Sequence, residues 1–213
     1  AEDAVDFLRL ELDLSSRQVA IASAELALLK DILNQQRAAD SAAAVQRAKE
    51  MLKSISLELR SQANENIQLA EAAHAVTQPI KETRRRLEET KTQLEGVQKQ
   101  FAAIQQRVND IGLTGSIGAL LRRHRVDLPD IRHLKKSIQN RKTLIEDVQY
   151  KLFEYDELRS ESVEASLQRL LDDLAVGSQA ERKALEAESL LLVEKRREYL
   201  DAVIRNYNAY LDL

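Results

Sequence analysis

The 213-residue sequence has no cysteine and no tryptophan, and only two prolines, five glycines and three phenylalanines. Without cysteine there are no disulfides and no thiolate metal sites, and oxidising and reducing compartments fit equally well. Aromatic residues make up 4% of the chain and charged residues 31%, which fits long helices around a thin core better than a thick globular interior. No run of about 18 apolar residues occurs, so this stretch is not expected to cross a bilayer as a helix. The formal net charge of −3 is too small to favour nucleic acid or an anionic membrane as a partner. Phosphate-binding glycine loops, nucleophile elbows and Cys/His frameworks are all missing. Acidic residues such as Glu154, Asp156, Glu157, Glu161 and Glu164 have no pocket-forming pattern around them. Neither enzyme activity nor a cofactor is expected.

What the sequence does contain is a hydrophobic heptad holding one phase from Val45 to Ile111. One position reads Val45, Leu52, Leu59, Asn66, Ala73, Ile80, Leu87, Leu94, Phe101, Val108. Three residues later it reads Ala48, Ile55, Gln62, Leu69, Val76, Thr83, Thr90, Val97, Ile104, Ile111. A 3.5-residue spacing kept this long describes a narrow seam between helices. Asn66 and Gln62 within it disfavour wrong registers at some cost in stability. Pro79 costs about 3 kcal/mol in a helix interior. Because the phase survives from Val76 through Ile80 to Thr83, a kinked continuous helix is favoured over a loop at Pro79.

The other elements follow from similar patterns. A first helix is predicted over 3–37 with the stripe Val5, Leu8, Leu12, Val19, Ala22, Leu26, Leu29, Leu33 and a second stripe, Phe7, Leu14, Ile21, Leu28, beside it. Such a wide apolar face implies more than one neighbour. A turn is predicted at Ala38–Ser41, then the long helix 42–111 kinked near 79, ending at Gly112. A short helix follows at 116–125, then helices at 130–158 and 163–175, with a seam break near Arg159–Ser162, and a last helix at 179–211. Arg141 takes one seam position, which is tolerable if its stem packs and its head reaches water. Tyr199, Tyr207 and Tyr210 suggest packing against neighbouring sequence outside this chain. The fold class is all-α, a single elongated domain over 1–213 of antiparallel coiled-coil hairpins with one very long central helix. Tips are expected at Ala38–Ser41 and Gly112–Pro129. The helix after Pro129 is expected to pair with the rear half of the long helix. The missing initial Met and the end inside a helical stripe suggest a piece of a longer polypeptide.

Among chemistry-bearing clusters, His124, Asp127, Asp130 and His133 could be drawn as a metal site. They span a loop with no spacing that converges them, so solvated polar residues are the expectation and no metal is assigned. Arg84-Arg85-Arg86 lies among Glu82, Glu88 and Glu89 and reads as an ion-paired solvated face. The basic run Arg122, Arg123, His124, Arg125 stands beside the second tip. That makes Gly112, Gly115, Ser116, Leu120, Leu121, Arg122, Arg123, Arg125, Leu128 and Pro129 the candidate partner-contact tip. No aromatic residues are interleaved with these basic ones, which argues against nucleic acid.

The stretch Ile111-Gly112-Leu113-Thr114-Gly115-Ser116-Ile117-Gly118-Ala119-Leu120-Leu121-Arg122-Arg123-His124-Arg125-Val126-Asp127-Leu128-Pro129 resembles the N-terminal "porin" region of the large MscS-type mechanosensitive channels of Gram-negative bacteria. There a long coiled-coil helix leads into a Gly-Ser turn, a Leu-rich short helix and a Leu-Pro step. Gln149-Tyr150-Lys151-Leu152-Phe153-Glu154, Arg197-Glu198-Tyr199-Leu200-Asp201 and Tyr207-Asn208-Ala209-Tyr210-Leu211 are similar to later elements of that region. The likeness runs from about Asn64 to the C-terminus. It implies a structural domain on the periplasmic side of the inner membrane. Its partners would be the rest of the channel polypeptide and neighbouring subunits of a homo-oligomer that releases solutes under osmotic shock. Two other readings stay open. One is a cytoplasmic coiled-coil scaffold or spacer. The other is a curved membrane-binding module, which would need one-sided positive charge that the mixed signs here do not give.

Overall fold

The computed structural model describes residues 2–112, 118–119, 121–123, 128, 130–173 and 179–213. Every regular element among them is helical. In chain order they are α1 (Glu2–Ser54), a 3₁₀ turn at Leu57–Leu59, α2 (Arg60–Ala75), α3 (Thr77–Ile111), α4 (Ile131–Ser160), α5 (Val163–Asp173) and α6 (Gln179–Leu211).

The helix does not turn at Ala38–Ser41, where Asp40 or Ser41 was expected to cap the next helix. It continues through to Ser54. The stretch Ala42-Ala43-Ala44 has the highest helix propensity available. Ser41, instead of capping a new helix, turns its hydroxyl back to the Ala38 carbonyl at 3.1 Å and lies 3.2 Å from His74 Nδ1. The first helix is therefore 53 residues long. The reversal comes 14 residues later, at Ile55–Leu59, inside what read as one uninterrupted rod. No Gly or Pro marks it. Ser56 adopts an extended ψ of 152°, and its amide donates to the Glu188 carboxylate at 3.0 Å, 132 positions away in sequence.

After the reversal the long helix is present in part. From Arg60 to Ile111 only Val76 interrupts α-helix, and its own dihedrals are right-handed helical. Pro79 explains the interruption. It has no N–H to offer the Ala75 carbonyl, and its ring crowds that carbonyl, while Ile80 resumes the pattern by donating to Val76 at 3.1 Å. Proline thus breaks the hydrogen-bond ladder without inserting a loop.

The C-terminal part of α1 and α2 form an antiparallel hairpin. Ser41 stands opposite His74, and Val45 and Ala48 share a buried cluster with Leu69 and Ala70. Near the turn, Ile55, Leu59 and Ala63 enclose Leu192. The last helix, α6, runs alongside α2. Ala73, Val76 and Ile80 pack with Val203, Tyr207 and Tyr210, while Tyr199 and Leu200 join Leu69 and Ala70. The fourth wall is α4, antiparallel to α6, with Val148 buried and Leu152 and Tyr155 packed against the same cluster. Thus α4 pairs mainly with α6, not with the rear of the long helix as the seam pattern predicted. The tyrosine pattern on α6 outcompeted that seam for its apolar face. Glu161 and Ser162 then break the chain, and α5 carries Leu170 to the cluster around Ile55 and Leu59.

Beyond this core the seam is uncovered. Leu94 and Phe101 on α3 are exposed, as are Ile131, Leu134 and Ile138 on α4. On α1 the large apolar residues from Val5 to Leu33 are all exposed. The two stripes there are both open to solvent. The second lies one residue, about 100°, from the Leu8/Leu29 line of the first and about 160° from its Val5/Leu12 line. Ala27 and Asp31 on this half of α1 make polar contacts with Arg84 of α3, through the Ala27 carbonyl and a 3.1 Å ion pair.

Leu59 has no solvent exposure and sits where hairpin, last helix and α5 meet. Leu59→Ala is expected to cost about 3 kcal/mol in urea denaturation. Leu57→Ala, two residues away and exposed, is expected to change stability by less than about 0.5 kcal/mol. Equal effects at the two positions would contradict this arrangement.

Candidate functional site

The tip residues named from sequence are only partly described. Gly112 ends α3 with φ 76°, a conformation side chains rarely adopt, and its amide donates to Val108 at 2.9 Å. Leu121, Arg122 and Arg123 are helical and exposed, and Leu128 is exposed. Gly115, Ser116, Leu120, Arg125 and Pro129 lie outside the described residues. Of the cluster weighed as a metal site, Asp130 accepts from the Arg132 amide at 2.9 Å and caps α4, and His133 is exposed. His124 and Asp127 lie outside the described residues. Among the described residues no three His, Cys, Asp or Glu side chains converge as metal ligands, and no helix is long and apolar enough to cross a membrane.

An open cleft of about 710 Å³ lies between the C-terminal part of α1 and α6. Ala44, Ile55 and Tyr199 give it an apolar floor, and Arg47, Glu50, Glu188, Lys195, Glu198 and Arg205 line its walls. Charges of both signs in an open groove stay hydrated. Such a groove has no closed, low-dielectric volume in which to tune a carboxylate or amine for acid–base work. It offers contact surface and no concentrated field for one class of small ion.

Two buried amides fix how the helices sit. Asn66 donates to the Leu192 carbonyl at 2.9 Å, and Asn206 donates to the Ala73 carbonyl at 2.8 Å, a reciprocal pair of side-chain links between α2 and α6. Both asparagines are buried. The seam pattern located Asn66 but not its acceptor, because the partner is 126 residues away. Asn206 gave no signal, sitting among tyrosines that suggested an external contact. Those tyrosines turn inward. Tyr199, Tyr207 and Tyr210 are buried, and the Tyr207 ring stacks on Tyr155 at 5.8 Å between centroids. Arg141 lies 4.4 Å above the Tyr210 ring and donates to the Tyr210 carbonyl at 3.2 Å, so its head finds an aromatic face and a backbone acceptor as well as solvent.

Burial pushes the phenols of Tyr155, Tyr199 and Tyr207 above the ordinary tyrosine value, with the neighbouring Glu154 charge adding to the effect at Tyr155. Interhelix ion pairs surround this core on its outer faces. Arg196–Glu65 is 2.6 Å, Lys49–Glu71 is 2.7 Å, and Arg159 pairs with Asp201. Each is at least partly solvated and contributes about 1 kcal/mol or less.

With this geometry in view, comparison against protein-family profiles, curated proteins and solved structures found no match. The polar links, the tyrosine cluster and the cleft make the described region a helix-packing module.

Asn66→Ala removes the donor and leaves the Leu192 carbonyl with one buried bond fewer. It is expected to cost about 1–2 kcal/mol, read by thermal or urea unfolding. The tyrosines predict a pH dependence. Their folded-state values are raised, so the folded chain holds these protons more tightly than the unfolded chain. The associated stability is complete below about pH 10 and is lost as pH rises through the folded values. Tyr207→Phe should make the alkaline decline shallower than in the parent. An unchanged decline would contradict burial of that hydroxyl.

Proposed function

We propose that this chain is a structural, non-catalytic helical domain that mediates assembly of a larger protein. Specifically, it serves as a periplasmic extramembrane domain of a large MscS-type mechanosensitive channel. The observation that carries the reading is the division of labour along α1. Its C-terminal part is built into a four-walled core by buried apolar residues such as Val45 and Ala48, while its N-terminal part leaves two apolar stripes open. A helix that keeps such stripes in water is built to be covered by other protein. The sequence likeness from Ile111 to Pro129 supplies the channel context, and the mixed-sign surface suits protein neighbours better than an anionic bilayer. In this role the domain props and orients subunits outside the pore and holds no ion site of its own.

The test is fractionation in the cells that encode the chain, with an epitope tag placed in this region. The reading predicts that the tagged protein partitions with the inner membrane. It also predicts that the tag becomes protease-sensitive once the outer membrane is permeabilised. Recovery in the soluble cytoplasm would overturn the channel reading and favour the cytoplasmic spacer.

A further inference from the structure

The N-terminal half of α1 carries a heptad of its own, separate from the seam that forms the core. Val5, Leu12, Val19, Leu26 and Leu33 fall on one position, and Leu8, Ser15, Ala22 and Leu29 fall three residues later. The seven large side chains of this seam are 45% to 72% exposed. With roughly 100 Å² open on each, the seam approaches the about 800 Å² per partner found in stable interfaces.

The flanking charges select the occupant. Arg9 and Lys30 share the heptad position directly after the Leu8/Leu29 line. Glu11 and Glu25 share the position directly before the Leu12/Leu26 line. In a parallel in-register pair of such helices, the position before the first seam line faces the position after the second line of the other copy, five residues on, so Glu25 faces Lys30 while Glu11 faces Ser16. Glu25 then meets Lys30 of the second copy, and by symmetry the reverse pair forms too. An antiparallel pair matching the two ends of the seam would bring Arg9 towards Lys30 and Glu11 towards Glu25, with like charges on both sides. Val5 and Val19 share the first seam position with Leu12, Leu26 and Leu33, and Leu8 and Leu29 hold the ends of the second, a mix compatible with two strands. Ser15 and Ala22 in the middle are small and let the backbones approach closely.

We infer that residues Val5–Leu33 form a parallel, in-register coiled coil with the same segment of a second copy of this chain. This goes beyond the channel reading and does not depend on it, since a spacer protein would use the same seam.

The experiment uses the full 213-residue chain. Light scattering on the eluting chain should give the mass of two copies. The double substitution Leu12→Glu with Leu26→Glu should return one copy with its helical circular dichroism largely kept, because neither side chain touches the core. A parent chain that stays monomeric overturns the inference, and the stripe then has another occupant. Orientation is read from cysteine, which the parent lacks. Leu12→Cys alone should form a disulfide-linked dimer under mild oxidation. Cross-linking of Leu12→Cys only when mixed with Leu26→Cys or Leu29→Cys would overturn the parallel arrangement. Charge reversal gives an independent check. Glu25→Lys should weaken the dimer about fivefold, and adding Lys30→Glu should restore it. A tighter dimer from Glu25→Lys alone would contradict the proposed register.

Discussion

The last helix pressed against the hairpin is the constraint on which the rest of this structure depends. The C-terminal part of α1 and α2 could meet as a two-helix pair, but such pairs bury too little apolar surface to stand alone. Leu192, Val203, Tyr207 and Tyr210 complete the interior by filling the line left open by Leu59, Ala73, Val76 and Ile80. Small residues make the approach close, with Ala63, Ala70 and Ala73 on α2 almost wholly buried. Asn66 and Asn206, each donating to a carbonyl of the other helix, hold one register between α2 and α6. Tyr155 and Arg141 of α4 then pack on the tyrosines that α6 presents.

Much of this was legible in the sequence as pattern and little of it as geometry. Val45, Ala48, Ile55, Leu59, Leu69, Ala73, Val76 and Ile80 were marked by heptad spacing, and all are buried. The all-helical class followed from the same repeat. What the repeat could not reveal was a reversal that keeps its phase. Leu59 lies seven residues after Leu52 and seven before Asn66 whether the chain runs straight or doubles back. The device that fixes the turn, Glu188 accepting from Ser56, comes from the far end of the chain. The alanine-rich step at 38–44 was misread for the opposite reason. Asp40 and Ser41 look like caps, but a cap requires the preceding helix to end, and nothing there ends it.

The same contrast holds for the candidate site. Turn chemistry pointed to Gly112 as a helix end, and its positive φ agrees. The interhelix asparagine links and the inward tyrosines depended on tertiary partners that no local window contains. The result is a chain in which one helix does two jobs. Residues beyond about Ser41 in α1 belong to the core, while Val5–Leu33 project apolar side chains that the rest of the described chain leaves uncovered.

Native-state hydrogen exchange tests the central claim directly. The account predicts that amides of residues 45–54, 60–80 and 192–210 open together as one slow cooperative unit, because each segment supplies a wall of the same core. If residues 192–210 exchange quickly while 45–80 stay protected, the last helix does not hold the hairpin closed, and the account fails.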